Sequence, residues 1–144
     1  MCSPVALDSI SPGYGVIELT SDFSFGSTIE RLRQSVLSQG DTKWFGEVDF
    51  LEAAKPRRIE VSSATLLLFG GPGPGGRAMA QFPKLGLDAF CQKVLVYQDG
   101  ARNVKVAFND IVAFAELHYG QSAPPHKVID DRLKETFSLA VRKR

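Results

Sequence analysis

The chain has almost no net charge. Its 144 residues carry 17 Lys and Arg against 16 Asp and Glu, a balance of +1. That gives no long-range field for gathering nucleic acid. The short basic clusters Lys55-Pro56-Arg57-Arg58 and Arg142-Lys143-Arg144 form no extended arm. Cysteine is scarce too: Cys2 and Cys91 are the only two. One conceivable pair makes no disulfide scaffold, so a reducing compartment, the cytoplasm, is expected. The two histidines, His118 and His126, stand eight apart, with no Cys-x-x-Cys or His-x-x-x-His spacing. No metal site and no cofactor is therefore expected. Long apolar runs are missing. The longest, residues 64–69 interrupted by Thr65, is far short of the ~20 residues that span a bilayer. Residues 1–10 also lack the basic start and apolar stretch of a secretory signal.

What is present suits one soluble domain. Hydrophobic residues make up 44% of the chain, enough for a core at this length without disulfides or metal. Residues 1–13, with two prolines and three serines, predict an irregular lead-in. Residues 14–20 are rich in strand formers. Ser27-Thr28-Ile29-Glu30 reads as a capping box opening a helix over 26–39. Ile29, Leu32, Val36 and Leu37 give that helix its apolar face, and Gly40 its stop.

A second strand is expected over 42–49, with one helical turn at 51–55 ended by Pro56. The run 64–69 is apolar but for Thr65, which predicts a strand buried on both faces. Gly70-Gly71-Pro72-Gly73-Pro74-Gly75-Gly76 predicts a loop, with a short helix around 77–82. Strands over 93–98 and 104–108 flank Asp99-Gly100, which predicts a tight hairpin. Val104, Val106 and Phe108 point one way and Lys105 the other, so one face of this sheet is core and the opposite face wet. Asp110 caps a helix over 111–119. Residues 121–144 are expected to hold a linker broken at 122–125 and an amphipathic helix over 128–142. Its stripe is Ile129, Leu133, Phe137 and Ala140/Val141, with Asp130 and Asp131 at its positive end. The order is β-α-β-β-β-β-α-α, which predicts an α+β fold with a mainly antiparallel sheet and helices on one face.

Several segments resemble the domain of unknown function 302 family. Residues Thr65 to Pro72 look like its "LLxFGNP" stretch, and Gly76-Arg77-Ala78-Met79 like its "GTPLM". Gly86-Leu87-Asp88, Lys93 to Tyr97 and Asp99-Gly100 resemble "GLDLPLKVLVxEDxDG". Val106 to Asp110 resembles "VxYNDP". The likeness covers about residues 14–120. It implies a TATA-binding-protein-like β-α-β4-α fold in single copy and a tendency to dimerise. It implies no activity. The family often has an Asp-His pair where this chain has Asp49-Phe50, so chemistry through that histidine is absent here. Gly71 stands for the usual asparagine and Cys91 near the usual proline, and residues from about 121 lie outside the family's core.

Candidate sites follow. Successive amides of the loop 70–76, with Arg77 at its edge, can form an anion or ligand cradle. Phe69, Gly70, Gly71, Gly73, Gly75, Gly76, Arg77 and Met79 would line it. The loop is neither a P-loop nor a dinucleotide fingerprint, and the plainer reading is a tight connection. Cys91 can serve as a nucleophile only beside a base, and the plainer reading is a small buried hydrophobe. Glu47 and Asp49, two apart on a strand, share a face and can act as acid and base, though a solvated face is commoner. Trp44, Phe45 and Phe50 near Lys43 and Lys55 can stack bases, but such aromatics are more often core. The leading expectation is a homodimeric module binding a small ligand or a protein. The alternatives are an enzyme using Cys91 or the Glu47/Asp49 pair, and a nucleic-acid binder by fold analogy alone.

Overall fold

A computed structural model describes residues 13–144. The lead-in expected over 1–13 lies outside them except for Gly13. Five strands, β1 (Val16–Thr20), β2 (Lys43–Asp49), β3 (Ala64–Gly70), β4 (Gln92–Gln98) and β5 (Val104–Asn109), form one sheet in the order β1-β5-β4-β3-β2. Every neighbouring pair is antiparallel. The meander β2 to β5 builds four strands in sequence, and β1 closes the far edge beside β5. Helix α1 (Phe25–Leu37) therefore carries the chain from one edge of the sheet to the other. The short α2 (Phe50–Ala54) follows β2, and α3 (Pro72–Met79) follows β3. Helices α4 (Ile111–Tyr119) and α5 (Pro124–Val141) end the chain. The fold is α+β, with a five-stranded antiparallel sheet.

The core lies between one face of the sheet and the helices. Thr65, Leu67, Phe69, Val94, Val96, Val104, Val106 and Phe108 supply the sheet side. Leu32 and Val36 of α1, Ile111 and Ala115 of α4, and Ile129, Leu133, Phe137 and Ala140 of α5 supply the helix side. The final helix is thus a wall of this core. Its stripe packs as the spacing requires.

Local chemistry moves several boundaries. Helix α1 is capped by Ser24, whose hydroxyl accepts the Ser27 amide at 3.3 Å, so Ser27 lies inside the helix rather than capping it. Glu30 turns instead to Arg33 and Gln34. Leu37, expected on the apolar face, is exposed, and the helix stops at Ser38 before Gly40 is reached. The hairpin after β4 spans 99–103. Its left-handed residue is Arg102 (φ 65°) and not Gly100. The Asp99 carboxylate holds this turn by accepting the Ala101 and Asn103 amides. Helix α5 begins at Pro124, earlier than expected. Two prolines in a first turn cost little, because those amides have no partner within a helix anyway.

The largest departure is at 70–76. Gly70 completes β3, and Pro72 to Met79 is helical rather than a loop. Pro72 and Pro74 occupy the first turn, where their missing N–H groups leave no bond unmade. The Gly75 amide still donates to the Gly71 carbonyl at 2.7 Å. The glycines serve close approach: a Cβ on Gly70 would overlap the Phe90 carbonyl oxygen, and one on Gly75 would sit 2.8 Å from the Ala89 carbonyl oxygen.

Candidate functional site

The face of the sheet away from the helices has no cover within the described residues. Register fixes its pattern. Glu18, Ala107, Leu95, Leu66 and Val48 form one row across all five strands. Asn109, Lys93 and Leu68 run beside it on one side, and Thr20, Lys105, Tyr97 and Ala64 on the other. Leu66, Leu68, Leu95 and Ala107 are only half-buried, and Val48 is 40% exposed. Phe45, Phe50, Ile59, Val61 and Phe90 are exposed besides. Strand β3 was expected to be buried on both faces. In the structure it is buried on one, because the helices that build the core, α1, α4 and α5, all pack on the same side of the sheet. Phe45 and Phe50, expected in the core, lie in solvent, while Trp44 packs against the core. Phe45 is displaced by the bulge between Trp44 and Gly46.

The charged groups on this face are satisfied at home. The Tyr97 hydroxyl donates to Glu18 at 2.6 Å, a bond that pushes the phenol up to about 12. Lys105 donates to the Thr20 hydroxyl at 2.8 Å, and Lys93 pairs with Asp88 at 3.3 Å. What is left without a partner is the leucine centre.

The residues singled out in the sequence are scattered. Phe69 and Gly71 line a small cavity between α3, α5 and the turn into β2, with Gln39, Thr42, Gln92 and Arg132 as its polar wall. Its volume is about 50 Å³. Arg132 is spent on Asp41, whose carboxyl its hydrogen bonds hold below the usual range. Arg77 folds back over Gly73, and Met79 lies on Gly86. Gly70 and Gly75 face the backbone of 89–90, while nothing lies near a Cβ on Gly76. These residues do not converge on one cradle.

Glu47 and Asp49 are also employed structurally. Glu47 pairs with Arg33, and Asp49 caps α2 by accepting the Glu52 amide at 3.0 Å. Cys91 is a half-buried free thiol. His126 is fully buried: its Nδ1 accepts the Ala123 amide at 2.9 Å, so its Nε2 donates to the Ala78 carbonyl at 3.2 Å. His118 lies beside Phe114. No hydrogen bond among the described residues joins either ring to the thiol. No three His, Cys, Asp or Glu side chains among them cluster as metal ligands.

Asp130 carried no functional signal in the sequence beyond its place near a helix start. With α5 beginning at Pro124, it sits two turns in, and it is 2% exposed. Its Oδ1 accepts the Ile111 amide at 2.7 Å and its Oδ2 the Val112 amide at 2.9 Å. Asp110 caps the same helix end by accepting the Ala113 amide at 3.0 Å. The available signal was an aspartate beside Ile129 and one turn before Leu133, inside an apolar stripe.

Comparison with known proteins places these features. The chain is 30% identical over 104 residues to fluoride-specific ion channel FluC 1 of Brucella suis biovar 1 (strain 1330), covering 72% of this chain and 40% of that protein. It is 30% identical over 104 residues to FluC 1 of Brucella abortus biovar 1 (strain 9-941), covering 38% of that protein. The chain thus spans about two fifths of the length of these relatives. Among the described residues no helix is long and apolar enough to cross a membrane. The crystal structure of an uncharacterized conserved protein DUF302 from Bacillus stearothermophilus shares the fold, with a TM-score of 0.69 at 17% identity over 88% of this chain and 95% of that one. The family model for Domain of unknown function DUF302 matches residues 17–138, from β1 through most of α5, and the chain belongs to that family.

Proposed function

We propose that the protein is a binding module that works as a homodimer, with its open sheet face set against that of a second copy. One observation carries this reading. Strand β3 is written in the sequence as a strand covered on both faces, and the described residues cover one. Leu66 and Leu68, with Leu95 and Val48 beside them, are the side chains left over. Five strands roughly 4.8 Å apart, of five to seven residues, make a face of roughly 500 Å² in flat projection. That is already near the size of the largest apolar patches monomers leave bare. The exposed Phe45, whose ring lies against Gly70 of β3, extends it toward the ~800 Å² per partner of a standard interface. Lys93 is paired with Asp88, whereas Glu18 and Lys105 are bonded only to the neutral Tyr97 and Thr20, so two copies meeting there must leave these two charges at the wet rim of the interface.

The other readings draw less support. The cavity beside Phe69 and Gly71, about 50 Å³, falls well below the roughly 300–1,000 Å³ of ordinary ligand pockets, and the wider hollows beside Ile59, Arg142 and Asp110 are open to solvent. The Glu47/Asp49 pair is occupied by an ion pair and a helix cap. A leucine-centred face with a chain charge of +1 is unsuited to phosphates.

Sedimentation tests the proposal. The wild type is expected at twice the chain mass. The double variant Leu66→Glu/Leu95→Glu is expected at the chain mass with an unchanged circular dichroism spectrum. A monomeric wild type at micromolar concentration would sink the reading. The likeness to FluC favours a second reading, in which the partner is a channel subunit and this chain a docked module. There the wild type sediments as a monomer, and it binds reconstituted channel through the same two leucines.

A further inference from the structure

Two carboxyl groups meet where α4 docks on α5. Asp130 comes from the buried side of α5, and Asp110 from the N-terminal end of α4. Both oxygens of Asp130 are occupied by α4 amides, at 2.7 and 2.9 Å. Its carboxyl sits beside that of Asp110: both accept amides from the first turn of α4, and both line one hollow there. Two carboxyls can hydrogen-bond to each other only when one keeps its proton. Asp110 has the better claim to the negative charge, since it accepts the Ala113 amide and lies 3.7 Å from the Lys134 ammonium. Asp130 has no cation of its own. The proton therefore belongs on Asp130.

We propose that Asp110 and Asp130 form a proton-linked latch between α4 and α5, closed while the pair holds one shared proton and loosened when that proton leaves. With the proton present, Asp130 accepts two amides and donates to Asp110. Without it, two anions share one helix end, Asp130 buried and Asp110 partly open to solvent. The compensation is the positive end of α4 and, for Asp110 alone, the Lys134 ammonium. Burial, and then the bond with Asp110, push the Asp130 carboxyl up to about 7. Burial works against the charge of Asp110 too, but the bonds from Asp130, Ala113 and Lys134 together hold it below its usual range.

The surrounding charges leave this balance intact. On α5, Lys127 is engaged with Asp131 at 2.6 Å, and Lys134 faces Asp110. On α4, Glu116 lies near Tyr14, whose phenol is pushed up by burial and then by the charges of Glu116 and Asp110. Behind Asn109, Asp88 is paired with Lys93. His126, one turn before Asp130, is directed away to Ala78.

The direction with pH follows. Asp130 titrates higher in the folded chain than the ordinary carboxylate value of about 3.9 expected when unfolded. Its contribution to stability is complete below about pH 4, shrinks as pH rises, and is gone by about pH 7. Asp110, held low when folded, contributes above the ordinary carboxylate range and loses that contribution as pH falls through its folded value. Between about pH 5 and 7 Asp110 is ionised in either state, so of the pair Asp130 alone sets the slope.

Carboxyl-carbon NMR of the full chain from pH 4 to 9, with amide hydrogen exchange corrected for intrinsic rates, tests the latch. One aspartate is expected to titrate near neutrality, and protection at Ile111 and Val112 is expected to fall about tenfold between pH 5.5 and 8.5. Asp130→Asn should flatten that dependence. If this variant fails to fold, Asp110→Asn keeps the cap but removes the neighbouring charge, and the Asp130 midpoint should drop by more than one pH unit. The proposal is overturned if no aspartate of the wild type titrates between pH 5.5 and 8.5, or if Ile111 and Val112 are equally protected at both ends.

Discussion

Truncating Phe137 to alanine is expected to cost about 3–5 kcal/mol of folding stability, and roughly 10 °C of melting temperature in a domain this size. Phe137 is 1% exposed. Its ring meets Phe69 of β3 edge-on at 5.8 Å and Phe108 of β5 at 5.1 Å. One side chain of the last helix therefore ties together two strands that are not neighbours in the sheet. Truncation leaves a cavity walled by those rings, which the strands cannot collapse to fill. On the same helix, Leu139 is 65% exposed. Leu139→Ala should stay within about 0.5 kcal/mol of wild type. Urea denaturation of the two variants separates the cases. If Phe137→Ala costs less than about 1 kcal/mol, α5 is an appendage and not a wall of the core. Dimer dissociation would add to the measured stability, so both variants should be compared at one chain concentration.

Wherever one periodicity decided, the sequence was legible. Val104, Val106 and Phe108 alternate and are buried together. Ile129, Leu133 and Phe137 recur at helical spacing and are buried together. Asp110 precedes an apolar run and caps it. The failures share a cause, which is that a tertiary neighbour changed the meaning of a local signal. Ser27-Thr28-Ile29-Glu30 matches a capping box, but Ser24 stands a turn earlier and leaves Ser27 inside the helix. Asp130 looked like a dipole partner near a helix start. Prolines 124 and 125 moved the start back and turned that aspartate inward, toward amides of another helix. Residues 64–69 read correctly as apolar on both sides, but sequence cannot say whether the second cover comes from the same chain.

The segment 70–76 misled for the most instructive reason, and it yields the sharpest contrast among single substitutions. Local propensity disfavours a helix with Gly73, Gly75 and Gly76 in it, at roughly 1 kcal/mol per glycine relative to alanine. The helix forms because tertiary contact needs some of those glycines. A Cβ on Gly70 would overlap the Phe90 carbonyl and meet the Phe45 ring at 2.9 Å. One on Gly75 would lie 2.8 Å from both the Ala89 carbonyl oxygen and the Phe90 Cα. Backbone cannot rotate aside as a side chain can, so β3 or α3 must separate from the 89–90 segment. Gly70→Ala is expected to cost about 3 kcal/mol or more, and Gly75→Ala about 1–3 kcal/mol. A Cβ on Gly76, by contrast, meets nothing within 4 Å. Its backbone is already helical, so Gly76→Ala should stabilise the protein by about 0.5–1 kcal/mol, chiefly by restricting the unfolded chain. Thermal melts of the three variants should therefore fall on both sides of the wild type. If Gly70→Ala and Gly76→Ala moved the melting temperature equally, the close approach of β3 to Phe90 could not be what fixes this segment. In that case the glycines would have to be explained by a ligand or partner that approaches the backbone of α3 from outside.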